Sequence, residues 1–75
     1  MKINIKGEQP FQILAHSCII SPSNEDYVLQ FSADGITYSD WDETVPAGEN
    51  CMVVNFAKFT YFKLSGNNSD VIVSY

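Results

Sequence analysis

The chain has 75 residues and a mass of 8.4 kDa, which predicts one small domain spanning residues 1–75. Apolar residues make up 45% of the sequence and aromatic residues 13%, which excludes intrinsic disorder, and no apolar run approaches the length of a membrane span. A net charge of −5, with four lysines and no arginine, disfavours nucleic acid and anionic membranes as partners.

The charges are unevenly distributed along the chain. Residues 21–50 carry seven of the nine acidic residues and no lysine. The seven are Glu25, Asp26, Asp34, Asp40, Asp42, Glu43 and Glu49. We therefore expect an acidic surface from the middle of the chain, with the lysines near both ends forming a less negative face.

Two cysteines, Cys18 and Cys51, permit one disulfide, but a single pair is not the dense framework of small secreted domains. Free, buried thiols are the favoured interpretation. The first ten residues, MKINIKGEQP, match a secretory signal peptide poorly, so we expect the chain to fold in a reducing cytoplasm.

Alternation of β-branched and aromatic residues dominates the sequence and predicts an all-β chain. Strands are predicted at residues 2–6, 11–20, 26–32, 36–41, 51–56, 59–64 and 71–75. About seven short strands in a chain of this length indicate a small antiparallel β-sandwich of the immunoglobulin-like or jelly-roll-like kind.

Several connections have sequence signals of their own. The second strand, residues 11–20, is apolar on both faces and is predicted to be central. Asp34-Gly35 predicts a hairpin between the third and fourth strands. Residues 42–50 contain a proline, a glycine and three acids and are predicted to form the longest loop, while residues 66–69 form a turn.

Two metal sites can be considered. His16 and Cys18 lie two residues apart, and Cys51 could join them as a third ligand to a transition metal. Because no paired metal-binding motif accompanies these residues, packing roles are favoured and no metal is expected.

Hard oxygen ligands for calcium could come from Asp40, Asp42 and Glu43, with Glu49 and Asn50 across the loop. The spacing of an EF-hand is missing, so a solvated acidic surface is favoured. Neither set of residues resembles a catalytic arrangement, and we expect no enzymatic activity and no cofactor.

The surplus of aromatic residues suggests a binding surface. Alternation places Phe59, Tyr61 and Lys63 on one face of a strand, and Tyr38 and Trp41 belong to the preceding hairpin. These residues predict a subunit interface or, alternatively, a platform for stacking sugars. A third possibility is that both faces of this strand are covered within the sandwich.

Residues 31–41, FSADGITYSDW, resemble the S-x-D-G-x-x-[WY] hairpin of discoidin-like, galactose-binding β-sandwich domains. The segments Tyr61-Phe62-Lys63-Leu64 and Val71-Ile72-Val73 are similar to the closing strands of those domains. This resemblance covers under half of the chain and implies a sandwich hairpin, with carbohydrate binding as an alternative function.

The whole chain also resembles the short, acidic, arginine-poor β-modules of tailed bacteriophage virions, in particular capsid decoration and head-fibre proteins. The similarity includes the phrase WDETVPAGEN at residues 41–50 and the turn KLSGN at residues 63–67. It implies a non-enzymatic auxiliary protein on the capsid surface, with capsid or other virion proteins, or further copies of itself, as partners. Contacts in an assembly would supply stability that so small a core lacks.

Overall fold

The computed structural model describes residues 1–75, and all regular structure in it is β-strand. There are eight strands: β1 (Lys2–Lys6), β2 (Phe11–Ile13), β3 (Ser17–Ile20), β4 (Val28–Ser32), β5 (Ser39–Asp40), β6 (Cys51–Val54), β7 (Thr60–Ser65) and β8 (Asp70–Ser74).

The strands form two four-stranded sheets, and every pairing between strands is antiparallel. Sheet A has the order β1-β8-β3-β6 and sheet B the order β2-β7-β4-β5. Both sheets contribute to one hydrophobic core. The predicted all-β, antiparallel sandwich is confirmed, with eight strands instead of about seven.

The prediction of one continuous strand over residues 11–20 is wrong. Residues 11–13 pair with β7 in sheet B, whereas residues 17–20 pair with β6 and β8 in sheet A. The buried positions change from odd numbers, Phe11 and Ile13, to even numbers, Cys18 and Ile20. Both faces are therefore apolar because the chain crosses from one sheet to the other and changes the side that it buries.

The predicted hairpin around Asp34-Gly35 is confirmed, although its second strand is only two residues long. Residues 33–38 form the connection, and Asp34 organises it. Its Oδ1 atom accepts hydrogen bonds from the Ser32 hydroxyl at 2.7 Å and from the N–H groups of Ile36 at 2.8 Å and Thr37 at 3.0 Å. An Asx-type turn of this kind supports a longer loop than a two-residue turn.

Thirteen buried side chains form the core: Ile5, Phe11, Ile13, Cys18, Ile20, Tyr27, Leu29, Val53, Phe56, Phe62, Leu64, Val71 and Val73. Phe62 lies among the aromatic members, with ring centroids 4.9 Å from Phe56 and 5.8 Å from Phe11. Tilted and edge-to-face pairs of this kind stabilise a small core beyond the area that they bury.

One buried polar side chain joins three connections at the end of the sandwich. Asn67 is fully buried, and its Nδ2 group donates to the backbone oxygens of Gly7 at 3.0 Å and Ser69 at 2.9 Å. Its Oδ1 atom accepts from the Ser23 hydroxyl at 2.5 Å. Because the side chain is hydrogen-bonded at both ends, its burial does not leave an unsatisfied group.

Candidate functional site

The aromatic residues that the sequence indicates as an interface are distributed over several environments. Tyr61 and Lys63 lie half-buried in β7, on the side of sheet B away from the buried Phe62 and Leu64. Phe59 precedes the strand, is 55% exposed and has a φ of 67°.

Tyr38 lies against the same outer surface of sheet B. The Lys63 ammonium is 4.6 Å from the centroid of its ring, a cation–π distance. The Tyr38 hydroxyl is buried without a hydrogen-bond partner. Its pKa is raised, mainly because of this burial. A Cβ atom at Gly35 would lie 3.4 Å from the Tyr61 ring, so the hairpin loop packs closely on this face.

Trp41 points in a different direction, towards the interior of the sandwich. Its indole makes edge-to-face contacts with Phe31, Phe56 and Phe62 at centroid distances of 5.2, 6.4 and 6.0 Å. The rings of Trp41 and Tyr38 consequently do not share an exposed plane on which a sugar could stack. An interface role for the five predicted residues stays a prediction.

A second exposed surface, made of apolar side chains, lies on the outer side of sheet A. It consists of Met1, Ile19, Met52, Val54 and Ile72, and is called the apolar face below. Met52 is 70% exposed, and the other four side chains are between 40% and 81% exposed. A shallow groove of about 430 Å³ runs across it and is bordered by Lys2, Ser17, Ser74 and Tyr75 as well.

Sequence reasoning did not single out this surface, although a signal for it exists. β6 reads Cys-Met-Val-Val, without a polar residue at the positions that alternate with buried Val53. Ile19 and Ile72 occupy the corresponding outward positions of β3 and β8. Apolar side chains on the solvent side of three neighbouring strands indicate a binding surface.

The thiols lie on the inner side of sheet A. Cys18 is buried and Cys51 half-buried, and both are free. Burial raises the pKa of Cys18 to about 12 and also raises the pKa of Cys51. Cys51 lies beside the buried hydroxyl of Tyr27. Neutral, buried thiols of this kind are poor nucleophiles.

His16 does not have the predicted packing role, because it lies outside the strands, in the connection between β2 and β3. Its imidazole is exposed, and Nδ1 is 2.8 Å from the backbone oxygen of Phe56. No group of three or more His, Cys, Asp or Glu side chains is arranged to hold a metal ion, in the acidic loop or elsewhere. The structure contains no helix with the length and apolar character that a membrane crossing requires.

Comparison with known proteins yields little similarity. No family model and no curated protein matches the sequence. Among solved structures, the Drosophila melanogaster CENP-C cupin domain is similar at a TM-score of 0.48 and 10% sequence identity. The match covers 96% of this chain and 54% of that chain, so this chain spans about half the length of its structural neighbour.

Proposed function

We propose that the chain is a non-enzymatic structural protein, an auxiliary or decoration protein bound to the outer surface of a tailed-phage capsid. The observation that carries the proposal is the apolar face on sheet A. Soluble proteins rarely leave several large apolar side chains together on a sheet surface unless a partner covers them. A partner protein is the natural occupant of such a face.

The distribution of charge supports docking by this face. Lys2 lies beside the groove, and Lys6 follows it on the outward side of β1. The acidic residues of the 42–50 loop lie instead at the N-terminal end of β6, around a second depression lined by Asp42, Glu43 and Glu49. We infer that the apolar face meets the capsid and that the acidic loops remain in solvent, where like charges on neighbouring copies discourage particle aggregation.

The size of the chain supports an assembly role too. A core of thirteen side chains offers a narrow margin over the conformational entropy of folding. Contacts that form only in the folded state add to stability by mass action. An auxiliary protein needs surface complementarity for this purpose and requires neither a catalytic group nor a cofactor.

The first experiment measures the chain in purified virus particles by quantitative peptide mass spectrometry. The proposal expects tens to hundreds of copies per particle, and absence from particles would overturn it. A binding assay with capsids that lack the protein then tests the surface. Ile72→Asp should weaken binding at least about tenfold, because a charged group on an apolar face is desolvated on docking.

Tyr61→Ala is the matched control, since Tyr61 lies on the outer side of the opposite sheet. If Tyr61→Ala abolishes capsid binding and Ile72→Asp does not, the aromatic surface predicted from the sequence is the interface and the apolar face is not. A carbohydrate-binding module would be favoured if the chain does not bind capsids but is retained on a glycan array, and if Tyr61→Ala abolishes that retention.

A further inference from the structure

Strand β6 forms an open edge of sheet A. It lies last in the strand order and pairs only with β3. No backbone hydrogen bond joins residues 51–54 to any loop or turn. The opposite edge of the sheet, β1, contains two lysines, whereas β6 contains no charged residue, proline or glycine. Lysine and proline are the residues that normally prevent edge-to-edge pairing, so β6 lacks this protection.

The hydrogen-bond pattern of β3 shows which residues of β6 face the open edge. The Ser21 N–H, just beyond β3, donates to the backbone oxygen of Ile72 at 2.9 Å, towards β8. Backbone groups of successive residues in an antiparallel strand point to opposite neighbours. Ile20 and Cys18 therefore direct their N–H and C=O groups towards β6.

The residues opposite these two in β6 are Cys51 and Val53. They exchange hydrogen bonds with β3, so Met52 and Val54 direct their backbone N–H and C=O groups towards solvent. The same two residues carry exposed side chains, at 70% and 45%. An apolar strand with free backbone donors and acceptors is a template for adding another strand.

We propose that two copies of the chain pair through β6 in an antiparallel, two-fold symmetric dimer. Val53 faces Val53 of the partner subunit across the axis, and Met52 lies opposite Val54 of the partner subunit. In this register each Met52 and the Val54 opposite it exchange both N–H···O=C bonds. Side chains that face outward in one copy also face outward in the other.

Charge complementarity identifies a second copy as the occupant of this edge. Glu49 and the other acids of the 42–50 loop lie at the N-terminal end of β6, where they line one depression together with Met52. His16 lies at the other end, since it precedes Ser17, the β3 residue opposite Val54, and Lys58 follows β6 by four residues in sequence. Antiparallel pairing brings the acidic end of one copy to the end of the other that Lys58 follows, at both ends of the interface.

The dimer also has a consequence for the surface. The two-fold axis is perpendicular to the sheet. Sheet A of one copy therefore continues into sheet A of the other as one eight-stranded sheet, with both apolar faces on the same side. The exposed Met52 side chain then contacts Val54 of the partner subunit, which removes part of both from water. This inference needs only the purified chain and does not rest on capsid binding.

Sedimentation equilibrium of the purified chain over micromolar to millimolar concentration tests the dimer. The wild-type chain should dimerise. Val54→Pro should raise the dissociation constant by about tenfold or more, because the substitution occurs in both copies and so removes two hydrogen bonds from the interface. Val54→Thr keeps the N–H group and serves as the control. A wild-type chain that stays monomeric, or a Val54→Pro dimer as tight as the wild type, overturns the proposal.

Amide hydrogen exchange provides a readout that does not depend on whether a variant folds. In the wild-type chain the amides of Met52 and Val54 should become protected as concentration rises, while those of Cys51 and Val53 are protected at every concentration. Lys58→Glu should weaken the dimer, and Lys58→Glu combined with Glu49→Lys should restore it. If the concentration-dependent protection appears only in other strands, and the charge reversal does not change dimerisation, then any dimer forms through another surface.

Discussion

The Trp41 indole meets the Phe31 ring edge-on, with the centroids 5.2 Å apart and the ring planes at 90°. The same indole lies 6.0 Å from Phe62, which is part of the buried core. Trp41 follows the two-residue strand β5, and its N–H donates to the backbone oxygen of Leu29 at 2.8 Å. These contacts attach a very short edge strand to the rest of sheet B.

Trp41→Ala should therefore lower the free energy of unfolding by about 2–4 kcal/mol, because it removes a large side chain that is packed against three aromatic rings. Urea denaturation followed by far-UV circular dichroism measures this change. Trp41→Phe keeps part of the aromatic contact and should cost less than half as much. A Trp41→Ala variant as stable as the wild type would show that the indole does not contribute to the fold.

The carboxylate of Asp34 should make stability depend on acid pH. Hydrogen bonds from the Ile36 and Thr37 N–H groups, followed by that from the Ser32 hydroxyl, lower its pKa from 3.8 to about 2. A pKa that is lower in the folded state means that the ionised group stabilises the fold above pH 3.8, and that this contribution is lost as the pH falls towards 2.

Urea denaturation at a series of pH values between 2 and 6 checks this dependence, and NMR titration of the Asp34 carboxyl checks the pKa directly. Asp34→Asn should remove part of the loss of stability on acidification. Asp70→Asn is the control for net charge, because Asp70 belongs to β8 and takes no part in this turn. An Asp34 pKa near its ordinary value would contradict the assignment of these hydrogen bonds.

Asn67→Ala should be among the most destabilising polar substitutions in the chain, at about 2–4 kcal/mol. It leaves the backbone oxygens of Gly7 and Ser69, two partly buried residues, without their side-chain donor. Ser23→Ala removes the hydroxyl that donates to Asn67 and accepts a longer hydrogen bond, at 3.3 Å, from the Glu25 N–H, and it should cost less, about 1 kcal/mol. Denaturation midpoints of the two variants should keep this order, and the reverse order would contradict the role given to Asn67.

Cys18 should resist thiol reagents in the folded protein. It is 3% exposed, and burial raises its pKa to about 12, so little thiolate exists at pH 8. Alkylation followed by peptide mass spectrometry should label Cys51 first and Cys18 slowly, and both residues rapidly in denaturant. Rapid native labelling of Cys18 would show that β3 and β6 separate readily, and absence of labelling in denaturant would reveal a disulfide.

Much of the architecture was predictable because the pattern is local. Alternation in residues 2–6 and 59–64 places Ile5, Phe62 and Leu64 inside, where the structure has them. The error at residues 11–20 arose because two different arrangements give the same apolar pattern. A single strand buried on both faces and a chain that changes its buried side partway along both show apolar residues at odd and even positions. Only the partners of each half, β7 for one and β6 with β8 for the other, distinguish the two cases.

The surface was less predictable than the fold. Alternation correctly places Tyr61 and Lys63 on the outward side of β7, but it cannot show that Lys63 covers the Tyr38 ring or that Trp41 turns inward, since both depend on contacts between segments distant along the chain. The apolar face has the same origin. Ile19, Met52 and Ile72 are far apart in sequence and become neighbours because β3 pairs with both β6 and β8.

The sequence by itself determined the all-β class, the hairpin at Asp34-Gly35, the positions of most strands and the uneven charge. Each of these follows from short-range periodicity, turn chemistry or composition. The tertiary structure alone decided the strand order, the crossing between the sheets near residue 15, the inward orientation of Trp41 and the open edge at β6. These depend on which segments pair across long sequence separations, and pairing is settled by burial of the whole chain together.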